Sequence, residues 1–434
     1  MQGEFALAKT SECKQLLKAG AAEKEFSRLY KQEDVTRQRE RYITAAEEFE
    51  RLFGAEREVC FFSAPGRTEI GGNHTDHQRG RTLAASIDLD AVAVASKNDR
   101  GVIHIHSEGH DENIVSLSEL DPKPEEENTS TALVRGIASR FQQLGYAIGG
   151  FDAYTTSDVL RGSGLSSSAA FEVLVGTMLN HLYNDGTVGA IEIAQIGQYS
   201  ENRYFGKPCG LLDQMACSFG GLIEIDFADP AVPKVDQLFC DFTEYGYYLC
   251  VVNTGGSHAD LTGEYAAVPA EMSGVAKALG KEVLREVNEQ EFFRCLPQLR
   301  SQLGDRAVLR AIHFFDEDQR VPKMANALRD REMNHFFELV KASGASSACR
   351  LQNVTPPGST KEQGLALALA LSERLLNGKG ACRVHGGGFA GTIQAYLPKE
   401  MAEDYCKEME NVFGNGCCHL LKIRPCGGTR VTIE

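Results

Sequence analysis

The rhythm of hydrophobic positions changes near residue 58. Before it, Leu16, Leu17, Phe26, Leu29, Tyr30, Phe49, Leu52 and Phe53 recur at helical spacing among many charges. That spacing predicts helix from residue 11 to about 57. Heptads are not sustained, so the segment reads as a helical arm packed on the body rather than a partner-binding coil. From Val59 the texture becomes that of strands. VCFFSAPGR is a short apolar run ending in Pro65-Gly66, residues 82–99 are strand-like, and GVIHIHSE alternates. A helix is expected near 132–144, then a strand in FDAYTTSDVL. Residues 166–184 (SSSAAFEVLVGTMLNHLYN) form a strong helix pattern behind a serine cap. Residues 190–204 predict another helix, and helices dominate from about 257 to 377. The chain closes with strand GTIQAYLP, helix KEMAEDYCKEMENVFG and strand CHLLKIRP. The pattern predicts an α+β protein with two lobes and a cleft between them: an arm (1–57), an N-lobe (58–245) and a C-lobe (246–434).

Composition narrows the partners. The 434 residues are 42% hydrophobic and 24% charged, with a net charge of −15, which argues against nucleic acid or an anionic membrane as the main partner. The 13 cysteines are an odd number and include no C-x-x-C pair. They read as reduced thiols of a cytoplasmic protein. There is no 18-residue apolar run, and the first residues lack the apolar core of a signal peptide.

The most informative stretch is LRGSGLSSSAAFEVLVG, 160–176. Gly162 and Gly164 allow a tight turn and close backbone approach. Ser163 and Leu165 lie in the same stretch, and Ser166, Ser167 and Ser168 then open an amphipathic helix. A helix N-terminus suits phosphate, and hydroxyls can add hydrogen bonds or reach Mg²⁺. One serine would explain an ordinary cap; three after two glycines exceed that need. No Walker A loop occurs. GGGFAG, 386–391, satisfies G-x-G-x-x-G, but a strand pattern follows where a dinucleotide fold needs a helix.

Other candidates are polar stretches. In GKPCGLLDQ, Asp213 lies between apolar residues and turn glycines, as a general base or as a buried acid paired with an arginine; Arg67 in APGR is a candidate partner. GGNHTDH (71–77) supplies donors and acceptors suited to vicinal hydroxyls; a metal site at His74, Asp76 and His77 is the weaker alternative to a polar turn. His104, His106 and His110 read as an exposed polar strand face rather than a metal site.

Taken in order, APGR…GGNHTDH, GSGLSSSAAFE, GKPCGLLDQ and RVHGGGFAG resemble the galactokinases of the GHMP sugar-kinase family, from about residue 59 to the C-terminus. The resemblance implies a ribosomal-protein-S5-domain-2-like N-lobe, a ferredoxin-like C-lobe, and ATP- and Mg²⁺-dependent phosphorylation of a sugar at its anomeric hydroxyl, galactose preferred. It implies phosphate binding by Gly162 to Ser168, Mg²⁺ ligation by Ser168 and Glu201, and catalysis by Asp213 with Arg67. It implies sugar contacts from Asn73, His74, Asp76, Gly210, Asp213 and Tyr265. A monomer or weak homo-oligomer is expected, with sugar and ATP as its small-molecule partners. The family signature reads close to GR-x-N-L-I-G-E-H-T-D-Y. Here Asn73 stands for its glutamate, Glu69 for its asparagine and His77 for its tyrosine; Leu160 replaces a proline and His385 a threonine. The glutamate position is expected to hold the C6 hydroxyl, so Asn73 predicts altered tolerance there, toward galacturonate, fucose or arabinose. A non-catalytic sugar sensor is the reading from another class; the intact serines, Glu201 and Asp213 argue against it.

Overall fold

The computed structural model describes residues 8–159, 164–256 and 261–433; Gly162 and Ser163 of the glycine-serine turn lie outside them. The first lobe is organised by two long antiparallel strands, Glu58–Gly71 and Arg81–Lys97. The apolar run beginning at Val59 does not stop at Pro65-Gly66. Register shifts between Pro65 and Arg67 and between Glu69 and Gly71 let the strand pass its proline and continue. The added half carries Arg67 and Glu69.

Phe151–Ser157 pairs with the outer part of Arg81–Lys97, and Leu222–Asp226 with its beginning. Val102–Ser107 lies parallel to Phe151–Ser157, making a nine-stranded sheet among the described residues. Alternation assigns the two faces. Phe62, Ala64, Ala93 and Ala95 face the helices Ser130–Gln143 and Ser167–Tyr183 in one core. Val59, Phe61, Val92 and Val94 face the arm.

The arm is three helices, Thr10–Lys18, Glu23–Leu29 and Val35–Phe53. Phe26, Leu29, Tyr42 and Phe49 are fully buried against the sheet, each worth about 1.5–3 kcal/mol of apolar burial. A buried polar knot fixes the arm's position. Asp90 accepts from Tyr30 Oη (2.6 Å) and pairs with Arg41 (2.7 Å) and with Arg424 near the C-terminus (3.1 Å). Tyr30→Phe removes one hydrogen bond to a buried charge. It should cost about 1.5–3 kcal/mol, read as a lower urea midpoint at unchanged slope; an unchanged midpoint would mean the knot contributes no net stability.

The second sheet has four antiparallel strands, ordered Ala381–Val384, Thr392–Pro398, Tyr247–Asn253, Cys418–Leu421. Gly364–Leu376 and Ala402–Phe413 cover one face. The expected boundary near 245 falls just before its central strand. The last strand, Thr429–Val431, returns to pair with Glu58–Gly71 in the first sheet. The strand Thr392–Pro398 follows GGGFAG, so that loop does not open a helix. His104 and His106 both reach Glu112, at 3.2 and 3.4 Å, on the strand Val102–Ser107.

Candidate active site

Arg67, Asp213 and Ser166, far apart in sequence, meet where the two glycine-rich loops approach. Arg67 Nε donates to Asp213 Oδ1 at 2.6 Å, and Ser166 Oγ donates to Asp213 Oδ2 at 2.6 Å. Arg67 also holds the serine loop: its backbone N–H donates to Leu165 O at 3.1 Å and its guanidinium to Gly164 O. Asp213 opens the helix Leu212–Phe219, a placement the run GLLDQ did not reveal, and a helix N-terminus favours a carboxylate. Burial pushes its pKa up; Arg67 and the Ser166 hydroxyl outweigh that and hold it below the usual carboxylate range. Its side chain remains 35% exposed, so an ionised acid faces the cleft. Ser166 has a left-handed backbone (φ 61°) just before the helix Ser167–Tyr183. Such strain in a non-glycine residue marks a held geometry.

A cleft of about 640 Å³ adjoins this pair, lined by Arg67, Glu69, Asn73, His74, Asp76, His77, Gly210, Asp213 and Tyr265, among others. A hollow of about 760 Å³ on the outer side of the first lobe contains the ion-paired Arg57, Asp152 and Arg100 together with His104, and none of the residues expected to bind sugar or phosphate. In the cleft, burial raises Asp76 to about 6, partly offset by the His77 N–H. Burial lowers His74 to about 4. His74 Nε2 lies 3.0 Å from Gly387 O, so Nε2–H donates to that carbonyl and Nδ1 is left as an acceptor. A Cβ on residue 210 would collide with the Asp76 carboxylate, so glycine allows that close approach. Tyr265 Oη donates to Gly388 O at 2.5 Å, tying the second glycine loop to the cleft.

Asn73 lines the cleft, yet its amide is turned toward the protein. It is 1% exposed. Its Nδ2 donates to Glu69 Oε1 (3.0 Å) and Gly386 O (2.6 Å), while its Oδ1 accepts from Asn353 Nδ2 (2.9 Å) and Ser347 Oγ (3.4 Å). These bonds use the whole amide. The negative charge that asparagine removes at 73 is present beside it at Glu69, whose Oε1 also accepts from Arg383 Nη2 at 2.7 Å. Glu69 is itself one of the residues lining the cleft.

Ser168 lies in the first turn of its helix, and Glu172 lies one turn further along the same face. Glu201 is buried, with Oε2 accepting from Gln214 Nε2 (2.9 Å) and Oε1 from Lys207 Nζ (3.2 Å). Glu172 Oε2 shares the same Gln214 donor at 3.0 Å, and its Oε1 is buried without a partner among the described residues. Burial and the Glu201 charge push Glu172 well up. An orphaned carboxylate oxygen beside a second acid, one helical turn from Ser168, offers the oxygen donors that Mg²⁺ takes.

Residues 132–221 match the GHMP kinases N terminal domain, and residues 47–97 the galactokinase galactose-binding signature. Galactokinase of Streptomyces coelicolor is 30% identical over 373 residues, covering 85% of this chain and 92% of that relative. The chain belongs to the galactokinase family. Galactokinase of Glaesserella parasuis is 30% identical over 82% of the chain and 89% of that relative. The structure of Lactococcus lactis galactokinase complexed with galactose superposes with a TM-score of 0.76 at 26% identity, covering 88% of this chain and 98% of that one. A mevalonate kinase structure shares the fold, at TM-score 0.59 and 16% identity. This family member therefore has the two-lobed α+β GHMP kinase fold and is a sugar kinase. Five site residues escaped the sequence reading: Glu172, Lys207, Gln214, Asn353 and Arg383. Glu172 lies four residues after Ser168, Lys207 and Gln214 lie within GKPCGLLDQ, and Arg383 opens RVHGGGFAG, all stretches already singled out; Asn353 lies in none of them.

Proposed function

We propose that the protein transfers the γ-phosphoryl group of ATP to the anomeric hydroxyl of a hexose, galactose preferred, giving galactose 1-phosphate. The observation that carries this reading is Asp213 held ionised between Arg67 and Ser166, where the sugar-sized cleft meets the serine loop. Ionised Asp76 accepts from sugar hydroxyls and neutral His74 offers Nδ1. The loop from Gly162 to Ser168 and the helix behind it receive the phosphates. Asp213 accepts a hydrogen bond from the anomeric O–H and orients its oxygen toward the γ-phosphorus. The new O–P bond forms as the bond to the β-phosphate oxygen breaks, and ADP leaves. A depressed pKa makes Asp213 a weak base, so its main contribution is orientation, with the proton moving late. That suits a loose phosphoryl-transfer transition state. Mg²⁺ held by Ser168 and Glu201, with Glu172 beside them, would neutralise charge on the transferred phosphates.

The charge at Glu69 favours galactose over galacturonate, since a uronate would face that carboxylate. All 13 cysteines are free thiols, which supports a cytoplasmic enzyme; no described helix is long and apolar enough to cross a membrane. ADP release with ATP–Mg²⁺ across galactose, galacturonate, fucose, arabinose and glucose tests the proposal. Galactose should lead. Silence on every sugar, with ATP bound, would overturn the kinase reading in favour of a sensor.

A pH dependence follows from Asp76. Its ionised form is the acceptor, so kcat/KM for sugar should be flat above pH about 6. Below that it should fall, approaching about tenfold per unit for one essential proton. Asp76→Asn should lower kcat/KM and remove that acid limb. Persistence of the limb in the variant would assign it to another group.

A further inference from the structure

The C-lobe contains a cluster that the kinase chemistry does not use. Cys250 is on the central strand Tyr247–Asn253, Cys418 on the neighbouring strand Cys418–Leu421, and Cys406 on the helix Ala402–Phe413. Their Sγ atoms all lie within 4.8 Å of one another. The register explains the first two. Cys418 pairs with Val252 and Leu420 with Cys250, so the two cysteines are diagonal neighbours on one sheet face. The helix covers that face and brings Cys406 down on them. Cys417 is buried too, with its Sγ 3.8 Å from that of Cys418.

A single buried cysteine is an ordinary small core residue, as Cys217 is in the first lobe. Chance core filling does not explain three thiols from three segments converging on one point. Their other contacts are weak: Cys250 Sγ reaches Val251 O at 3.8 Å, and Cys418 Sγ reaches Cys406 O at 4.0 Å. A Zn–S bond of about 2.3 Å in a tetrahedron separates sulfurs by roughly 3.8 Å. Small side-chain rotations therefore close the cluster onto an ion. Thiolates select Zn²⁺ and Cu⁺ and are poor ligands for Mg²⁺, so this site is chemically separate from the phosphate loop.

We propose that Cys250, Cys406 and Cys418 form a thiolate site for a soft d¹⁰ cation, Zn²⁺ or Cu⁺, with Cys417 as fourth ligand when the ion is zinc. Binding converts the ligating thiols to thiolates, and their protons go to solvent. The ion would cross-link three segments of the C-lobe. Among them is the strand that leads to Thr254, whose N–H donates to Gly391 O of the second glycine loop at 2.9 Å.

The full chain, purified with reductant and without chelator, is assayed for metal by elemental analysis. Stripped protein is then titrated separately with Zn²⁺, Cu⁺ and Co²⁺. One equivalent of zinc or copper per chain is expected, and a thiolate-to-cobalt charge-transfer band with Co²⁺. Cys406→Ser, on a partly exposed helix position, should lose the band and the bound metal, while Cys349→Ser at the surface keeps both. Failure of wild-type protein to take up zinc or copper, or Co²⁺ binding without the thiolate band, overturns the proposal whatever the variants do. Retention of metal by folded Cys406→Ser does so as well.

Discussion

Asp213→Asn lowers kcat by about 10²–10⁴-fold, the range a positioned acid or base contributes, while ATP still binds. The substitution keeps the side chain's shape but removes the charge that receives the anomeric hydrogen bond. Arg67 is 7% exposed and loses its ionised partner. Part of the effect is therefore structural, and the measurement must separate the two. Calorimetric titration with nucleotide should give an affinity close to that of the unaltered protein, because among the described residues Asp213 bonds to the serine loop through Ser166 Oγ alone. Stability should fall modestly, since Asp213 is partly solvated. A fall in kcat with ATP binding retained is the signature of a group that acts on the sugar oxygen. If ATP affinity collapses in parallel, Asp213 is instead a brace for the serine loop. Near-wild-type turnover would remove it from the mechanism.

Much of this site was legible because local chemistry and order along the chain agree. A double glycine before three serines announces a helix start, and a helix begins at Ser167. The alternation of Phe61 and Phe62 assigns opposite faces of one strand, and the structure places them in different cores. Boundaries were less legible where tertiary pairing overrode a local breaker. Pro65-Gly66 reads as a stop, but bulges let the strand run on to Gly71. The helical arm reads as one long segment, whereas turns divide it into three helices. Partners supplied from the far end of the chain carried no local signal. Arg383, Asn353 and Gly386 reach Asn73 or Glu69 only after the lobes pack. The thiol cluster was equally hidden, since its three members are separated by as much as 168 residues of chain and match no spacing motif.

The exchange between positions 69 and 73 gives the second large effect. Asn73→Glu alone sets a second carboxylate against Glu69 Oε1, where the amide now donates at 3.0 Å, and turns an acceptor toward Gly386 O. Both sites are buried. An uncompensated buried charge costs about 3–5 kcal/mol, so this variant should unfold at markedly lower urea and bind sugar weakly. Glu69→Asn alone leaves Arg383, which is fully buried, with its Ile70 O bond but no anion, and should cost a similar amount. The double variant Glu69→Asn/Asn73→Glu returns one acid and one amide in the order the family signature has. It should be more stable than either single variant would imply by addition, with a coupling of about 0.5–3 kcal/mol. It should also recover galactose turnover. Strict additivity would mean that the two side chains do not share one charge, and that the Glu69 carboxylate has no part in sugar selection. Recovery would mean that the enzyme keeps its recognition acid by moving it four residues along the chain rather than by giving it up.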